Sequence, residues 1–141
     1  MRVIVVGVCT AGKTVLVQKL QQLGYDADTV AQEHSYVASL WNHSSPDVVI
    51  YLDAALTTIR RRRDVDFDEE LLASERERLA QAREACNLYV KTDDLNEDQV
   101  FRRVRRFLEK WERGEVTRRA AKIERHEEQS GTEPPAGGRL Y

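Results

Sequence analysis

The chain has 141 residues, 41% of them hydrophobic and 33% charged, which is one domain's worth of sequence and enough to bury a core without disulfides. Its 22 Lys and Arg against 24 Asp and Glu leave a net charge of −2, which argues against a partner held by bulk charge, nucleic acid and anionic membrane alike. Two cysteines, Cys9 and Cys86, make neither a disulfide framework nor a metal knuckle. A reduced, cytoplasmic setting is the expectation, and no stretch reads as a targeting or membrane segment.

The first strand is read over residues 2–6, a β-branched run closed by Gly7. It does not alternate, so both faces should be buried, as in a parallel sheet covered by helices. A helix should open near Gly12, with Leu16, Leu20 and Leu23 at helical spacing and Gly24 as its stop. Residues 29–31 read as a weak strand and residues 35–41 as a helical turn. Residues 42–46 read as a loop.

Residues 48–53 form a second buried strand, and 54–62 a helix with Leu56 and Ile59 inward. Asp68 is placed as the N-cap of a longer helix reaching about Ala85. Residues 88–90 make a third short strand. Asn96 and Gln99 stand at capping-box spacing, and Val100, Phe101, Val104, Phe107, Leu108 and Trp111 share the face of the helix that follows. Residues 115–141 carry five basic and five acidic residues and few large aliphatics. The expectation is a domain over 1–113, then a charged tail over 114–141, helical at first and then disordered. Strands alternating with helices predict an α/β fold of three layers around a small parallel sheet of about four strands.

One motif carries chemistry. Gly7-Val8-Cys9-Thr10-Ala11-Gly12-Lys13-Thr14 fits G-x-x-x-x-G-K-[ST] at every fixed position, with a strand before it and a helix after it. Such a loop curls its backbone N–H groups of Gly7, Cys9, Thr10, Ala11 and Gly12 around phosphate oxygens, aided by the positive end of the helix. Lys13 would reach the β- and γ-phosphates, and the Thr14 hydroxyl would ligate Mg²⁺. Phosphoryl chemistry then needs an acidic residue at a strand end. Asp53, closing the apolar run 48–52, and Glu33, following residues 29–31, are the candidates, with Asp53 ahead by pattern alone.

From the loop onward the chain resembles the P-loop small-molecule kinases, the group of thymidylate, deoxynucleoside and adenylate kinases. Glu33-His34-Ser35 is similar to the Asp-Arg or Glu-Arg sequence that ends the strand beside the loop strand in thymidylate and deoxynucleoside kinases, with His34 in place of arginine. The resemblance implies that Glu33 is the catalytic base or metal-site carboxylate, and it moves Asp53 to a supporting place at the metal. Residues 46–53 resemble the later strand that leads into an arginine-bearing lid. Arg60, Arg61, Arg62 and Arg63 form an unbroken cationic run there, suited to the charge of a transferring phosphoryl group. Arg60 and Arg63, sharing a helix face, are read as the phosphate-facing pair. Residues 88–93 look like the last strand and the loop against the nucleotide base. The resemblance covers roughly residues 1–112. It departs in the short stretch between Gly24 and Asp47, where nucleotide kinases carry an acceptor-binding insertion.

Other patterns were weaker. Asp64, Asp66, Asp68 and Glu75 stand at EF-hand positions, but Glu69 takes the place of the glycine that the loop's sharp turn needs. Residues 90–93 lack the first residue of the guanine-reading N/T-K-x-D pattern. Tyr36 and Trp41 read as core residues, and no catalytic role follows for Cys9. The expectation is thus an ATP- and Mg²⁺-dependent kinase acting on an unidentified small-molecule acceptor, with no nucleic-acid or membrane partner and compatible with a homodimer. The alternative is a non-kinase P-loop NTPase, or a nucleotide-binding switch without an acceptor.

Overall fold

A computed structural model of the chain describes residues 1–63 and 66–116. Its strands are β1 (Arg2–Gly7), β2 (Asp26–Thr29), β3 (Val48–Asp53) and β4 (Leu88–Lys91), and its helices α1 (Lys13–Gln22), α2 (Leu56–Arg62), α3 (Glu69–Arg78), α4 (Ala80–Ala85) and α5 (Glu97–Glu112). Two 3₁₀ turns, Gln32–His34 and Leu40–Asn42, lie between β2 and β3. The four strands are all parallel, in the order β2-β1-β3-β4. This is an α/β architecture compatible with three layers.

Burial follows the sequence pattern. Val3 to Val6 of β1 and all six residues of β3 are buried, as expected of central strands covered on both faces. α1 buries Leu16, Val17 and Leu20, and α5 buries Val100, Val104, Phe107 and Leu108. These two helices pack against each other, while α4 packs against β3. Both halves of the capping box form, Asn96 accepting from the Gln99 amide and Gln99 from the Asn96 amide, each at 2.8 Å. α1 ends at Gly24 with the paired bonds Tyr25 N to Leu20 O and Gly24 N to Gln21 O. Among the described residues no helix is long and apolar enough to cross a membrane.

Three elements differ from the sequence expectation. β2 lies at Asp26–Thr29, ahead of residues 29–31, and buries only Ala27. It is an edge strand whose Asp26 and Asp28 face Arg2 of β1 at 2.7 and 3.9 Å, so cross-strand charge stands in for apolar content. Of the turn expected over 35–41 only Leu40 and Trp41 are helical, in the second 3₁₀ turn, and the first, Gln32–His34, lies ahead of it. The helix expected from Asp68 to Ala85 breaks at Leu79 into α3 and α4. Asp68 does cap α3, accepting from the Leu71 amide at 2.8 Å. The expected tail falls, from residue 117 onward, outside the described residues, as does Asp64 of the EF-hand-like run.

β1 connects to β2 on one side and has β3 on the other, so the chain reverses direction across the sheet at β1. Ligands of open α/β sheets bind at such a reversal, outside the carboxyl ends of the strands. The loop from Gly7 to Gly12 occupies that place.

Candidate functional site

The loop's backbone is set by space and by torsion. A Cβ on Gly7 would stand 2.1 Å from the Leu52 carbonyl oxygen, so only glycine allows β1 to run this close to β3. Gly12 has φ 102°, left-handed backbone that glycine adopts without strain. Thr10 has φ 59°, uncommon for a β-branched residue, and its buried hydroxyl has no hydrogen-bond partner. Backbone of this kind collects where a ligand must be gripped.

The N-terminus of α1 is open. Its N-cap, Gly12, supplies no side-chain acceptor, and the first turn holds no acidic residue. The first intrahelical bond belongs to the Leu16 amide, which donates to Gly12 O. The amides of the first turn and the positive end of the helix are therefore left uncompensated, an arrangement suited to an anion.

Lys13 spends its three ammonium hydrogens locally. Nζ donates to Gly7 O and Val8 O, both at 2.9 Å, and pairs with Glu33 Oε2 at 3.0 Å. Glu33 stands on the 3₁₀ turn after β2, with its side chain 8% exposed. Its second oxygen, Oε1, is buried and has no hydrogen-bond partner. His34 Nε2 lies 3.9 Å from Oε2, beside Glu33 but half-exposed. The backbone of this turn is held from α3, where Arg78 donates to Glu33 O at 3.2 Å.

Of the arginine run, Arg62 and Arg63 reach the loop. Arg62 donates to Thr10 O at 3.1 Å, to Thr92 Oγ1 at 3.1 Å and to Thr92 O at 2.6 Å. It clamps the loop after β1 to the segment between β4 and α5. Arg63 donates to the Cys9 sulfur. Arg60 instead donates Nε to Phe67 O at 2.7 Å, so the expected pairing of Arg60 with Arg63 on one face is replaced by Arg62 with Arg63. The reason is local: α2 ends at Arg62, and Arg63 leaves helical geometry with φ −125° and ψ −89°. Helical spacing therefore stops predicting faces one residue too early. Asp93 anchors this helix, accepting from Ala55 N at 2.8 Å and from the Thr58 hydroxyl.

Asp53 is buried, and both its oxygens are engaged. Oδ1 accepts from the Ala54 amide at 2.9 Å and from Arg76 at 3.2 Å. Oδ2 accepts from the Tyr89 hydroxyl at 2.6 Å. A metal ligand here would have to leave that network, whereas Glu33 Oε1 is buried without a donor. Thr14 is exposed on the first turn of α1. Among the described residues no group of three or more His, Cys, Asp or Glu could hold a metal ion. A cation carried by Thr14 and Glu33 would thus complete its shell with phosphate oxygens and water, which suits Mg²⁺.

A cleft of about 350 Å³ opens beside the loop, within the range of small-molecule pockets. Thr10 to Gly12, Arg62, Thr92 and Leu95 line it. The sequence missed Arg62 for the reason given, and also missed Glu75 of α3, whose Oε1 accepts from the Cys9 amide at 2.9 Å. Tyr36, read as a core residue, is 88% exposed, with the Arg78 guanidinium 4.8 Å from its ring centre. Trp41 packs against the core and donates Nε1 to Gln81 at 3.0 Å.

Comparison of the chain with models of known families, with curated proteins and with solved structures finds no match.

Proposed function

We propose that this chain binds a nucleoside triphosphate with Mg²⁺ at the 7–14 loop and transfers the γ-phosphoryl group of ATP to a small-molecule acceptor. The observation that carries this reading is the uncapped first turn of α1, whose own Lys13 holds its ammonium 3.0 Å from the buried Glu33 carboxylate. That is a strong positive site closed by an internal counter-ion, and a polyphosphate can exchange for the counter-ion.

In this reading the main-chain amides and Lys13 hold the phosphates, and the 350 Å³ cleft takes the base. Mg²⁺, once bound by Thr14 and Glu33, would draw charge from the β- and γ-phosphates. Glu33 accepts the proton of an acceptor hydroxyl or completes the metal shell. Arg62 and Arg63 sit at the loop where negative charge develops, and guanidinium groups there favour the transition state over the ground state.

A second reading is favoured by the shortness of the 30–47 segment, which holds only two 3₁₀ turns. It offers no separate acceptor domain, as a P-loop module without an acceptor would require none. ATP consumption with Mg²⁺, measured against a panel of nucleosides, nucleotides and small metabolites, separates the two. A kinase consumes ATP in step with one acceptor. A switch hydrolyses slowly whatever acceptor is added.

A further inference from the structure

We infer that Glu75 makes the loop discriminate between nucleoside tri- and diphosphates, by placing a carboxylate on the amide that a terminal phosphate needs. The inference rests on the reading of the 7–14 loop as a nucleotide site and adds a residue that the motif does not contain.

The geometry is specific. Glu75 reaches the loop from α3, 66 positions along the chain, and its Oε1 accepts from the buried Cys9 amide at 2.9 Å. The side chain is buried, at 4% exposure. Cys9 is the third residue of the motif, on the β1 side, away from the first turn of α1. A diphosphate can be held by that first turn and by Lys13. In this proposal the third phosphate extends toward the β1 side of the loop, where the Cys9 N–H already donates to Glu75.

The second observation is Glu33. It is 6% exposed, and its Oε1 has no hydrogen-bond partner. The Glu33 charge disfavours ionisation of Glu75, and the positive groups near the two are Lys13, half-exposed His34 and Arg63, which donates to the Cys9 sulfur. The cluster thus holds two buried carboxylates for one buried ammonium, and adding a terminal phosphate raises its negative charge further. Like charges disfavour one another strongly where water is excluded. The triphosphate therefore binds by displacing Glu75, and its affinity is lowered by the cost of doing so. A diphosphate leaves Glu75 in place.

The displaced residue is part of a helix whose neighbours are tied to the site. Arg76 pairs with Asp53 at 3.2 Å, and Arg78 holds Glu33 O. Moving Glu75 loosens α3, and α3 reports whether a third phosphate is present.

The test is a calorimetric titration of full-length wild type and Glu75→Gln with Mg²⁺-ATP and Mg²⁺-ADP. Glutamine keeps the shape and an acceptor oxygen but not the charge. The variant should bind ATP about fivefold tighter or more, the lower end of ordinary coupling between sites, with ADP affinity changed by less than about twofold. Equal changes for both nucleotides, or weaker ATP binding, overturn the role of Glu75 while leaving the nucleotide site intact. If wild type binds neither nucleotide, both the inference and the reading beneath it fail. Hydrogen exchange on wild type provides a second measurement that needs no variant. ATP should speed exchange over residues 69–78 relative to ADP, and equal protection by the two nucleotides overturns the inference.

Discussion

The Lys13 ammonium and the Glu33 carboxylate lie 3.0 Å apart with both side chains about nine-tenths buried. The pair joins the start of α1 to the turn after β2, so it ties the two segments on which the proposed chemistry depends. Removing one partner leaves the other as an uncompensated buried charge. Lys13→Met should therefore lower stability by about 3 kcal/mol, and adding Glu33→Gln to that variant should recover most of the loss. Urea melts of the two single variants and the double variant measure this. A double variant less stable than Lys13→Met shows the two residues to be uncoupled.

Arg62 and Arg60 should behave differently although they stand two positions apart. Arg62 bonds to Thr10 and Thr92 on both sides of the cleft, and Arg60 bonds to Phe67. Arg62→Ala should weaken ATP binding by about tenfold or more, the worth of a charge-assisted hydrogen bond. Arg60→Ala should leave it within about twofold. Equal losses in fluorescence titrations with a labelled nucleotide contradict the assignment.

The 7–14 motif was legible in the sequence and the arginine run was not. The 7–14 motif is local, each of its residues acts near its neighbours in the chain, and its flanking strand and helix follow from an unbroken apolar run and a regular stripe. The capping box of Asn96 and Gln99 is local in the same way. β2 was misplaced because an edge strand with one buried residue, Ala27, has almost no hydrophobic pattern, its register being set instead by Arg2 against Asp26 and Asp28. Four consecutive arginines offer no internal distinction, and the end of α2 at Arg62 decides which of them turn to the loop. Glu75 was visible only as the last position of a calcium-loop pattern, since its contact with Cys9 is made by the fold.

Glu75 gives a dependence on pH. Burial, and then repulsion from Glu33, push its carboxyl above the ordinary 4.5, against the opposing pull of the Cys9 amide. The native state therefore holds this proton more tightly than the unfolded chain does. The stabilisation is fully present below the unfolded value of 4.5 and is lost as pH rises through the native pKa. Glu75→Gln cannot lose a proton there, so its stability relative to wild type should increase as pH rises from 4.5 through the native pKa. Denaturant melts across that range test it. A flat or falling difference shows that burial does not govern this group.

Asn96 caps the helix that closes the cleft. Asn96→Ala removes the acceptor for the Gln99 amide and should cost about 1 kcal/mol. Thermal melts read this directly, and an unchanged melting temperature means that α5 is held by packing alone.

The central claim is that the loop after β1 grips a polyphosphate. Isothermal titration of full-length protein with Mg²⁺-ATP tests it most directly, with Lys13→Ala, checked for fold by circular dichroism, as the control. The account predicts saturable binding of one nucleotide per chain and a loss of about tenfold or more in the variant. Folded wild type that takes up neither ATP nor GTP, or a Lys13→Ala protein that binds as well as wild type, contradicts it.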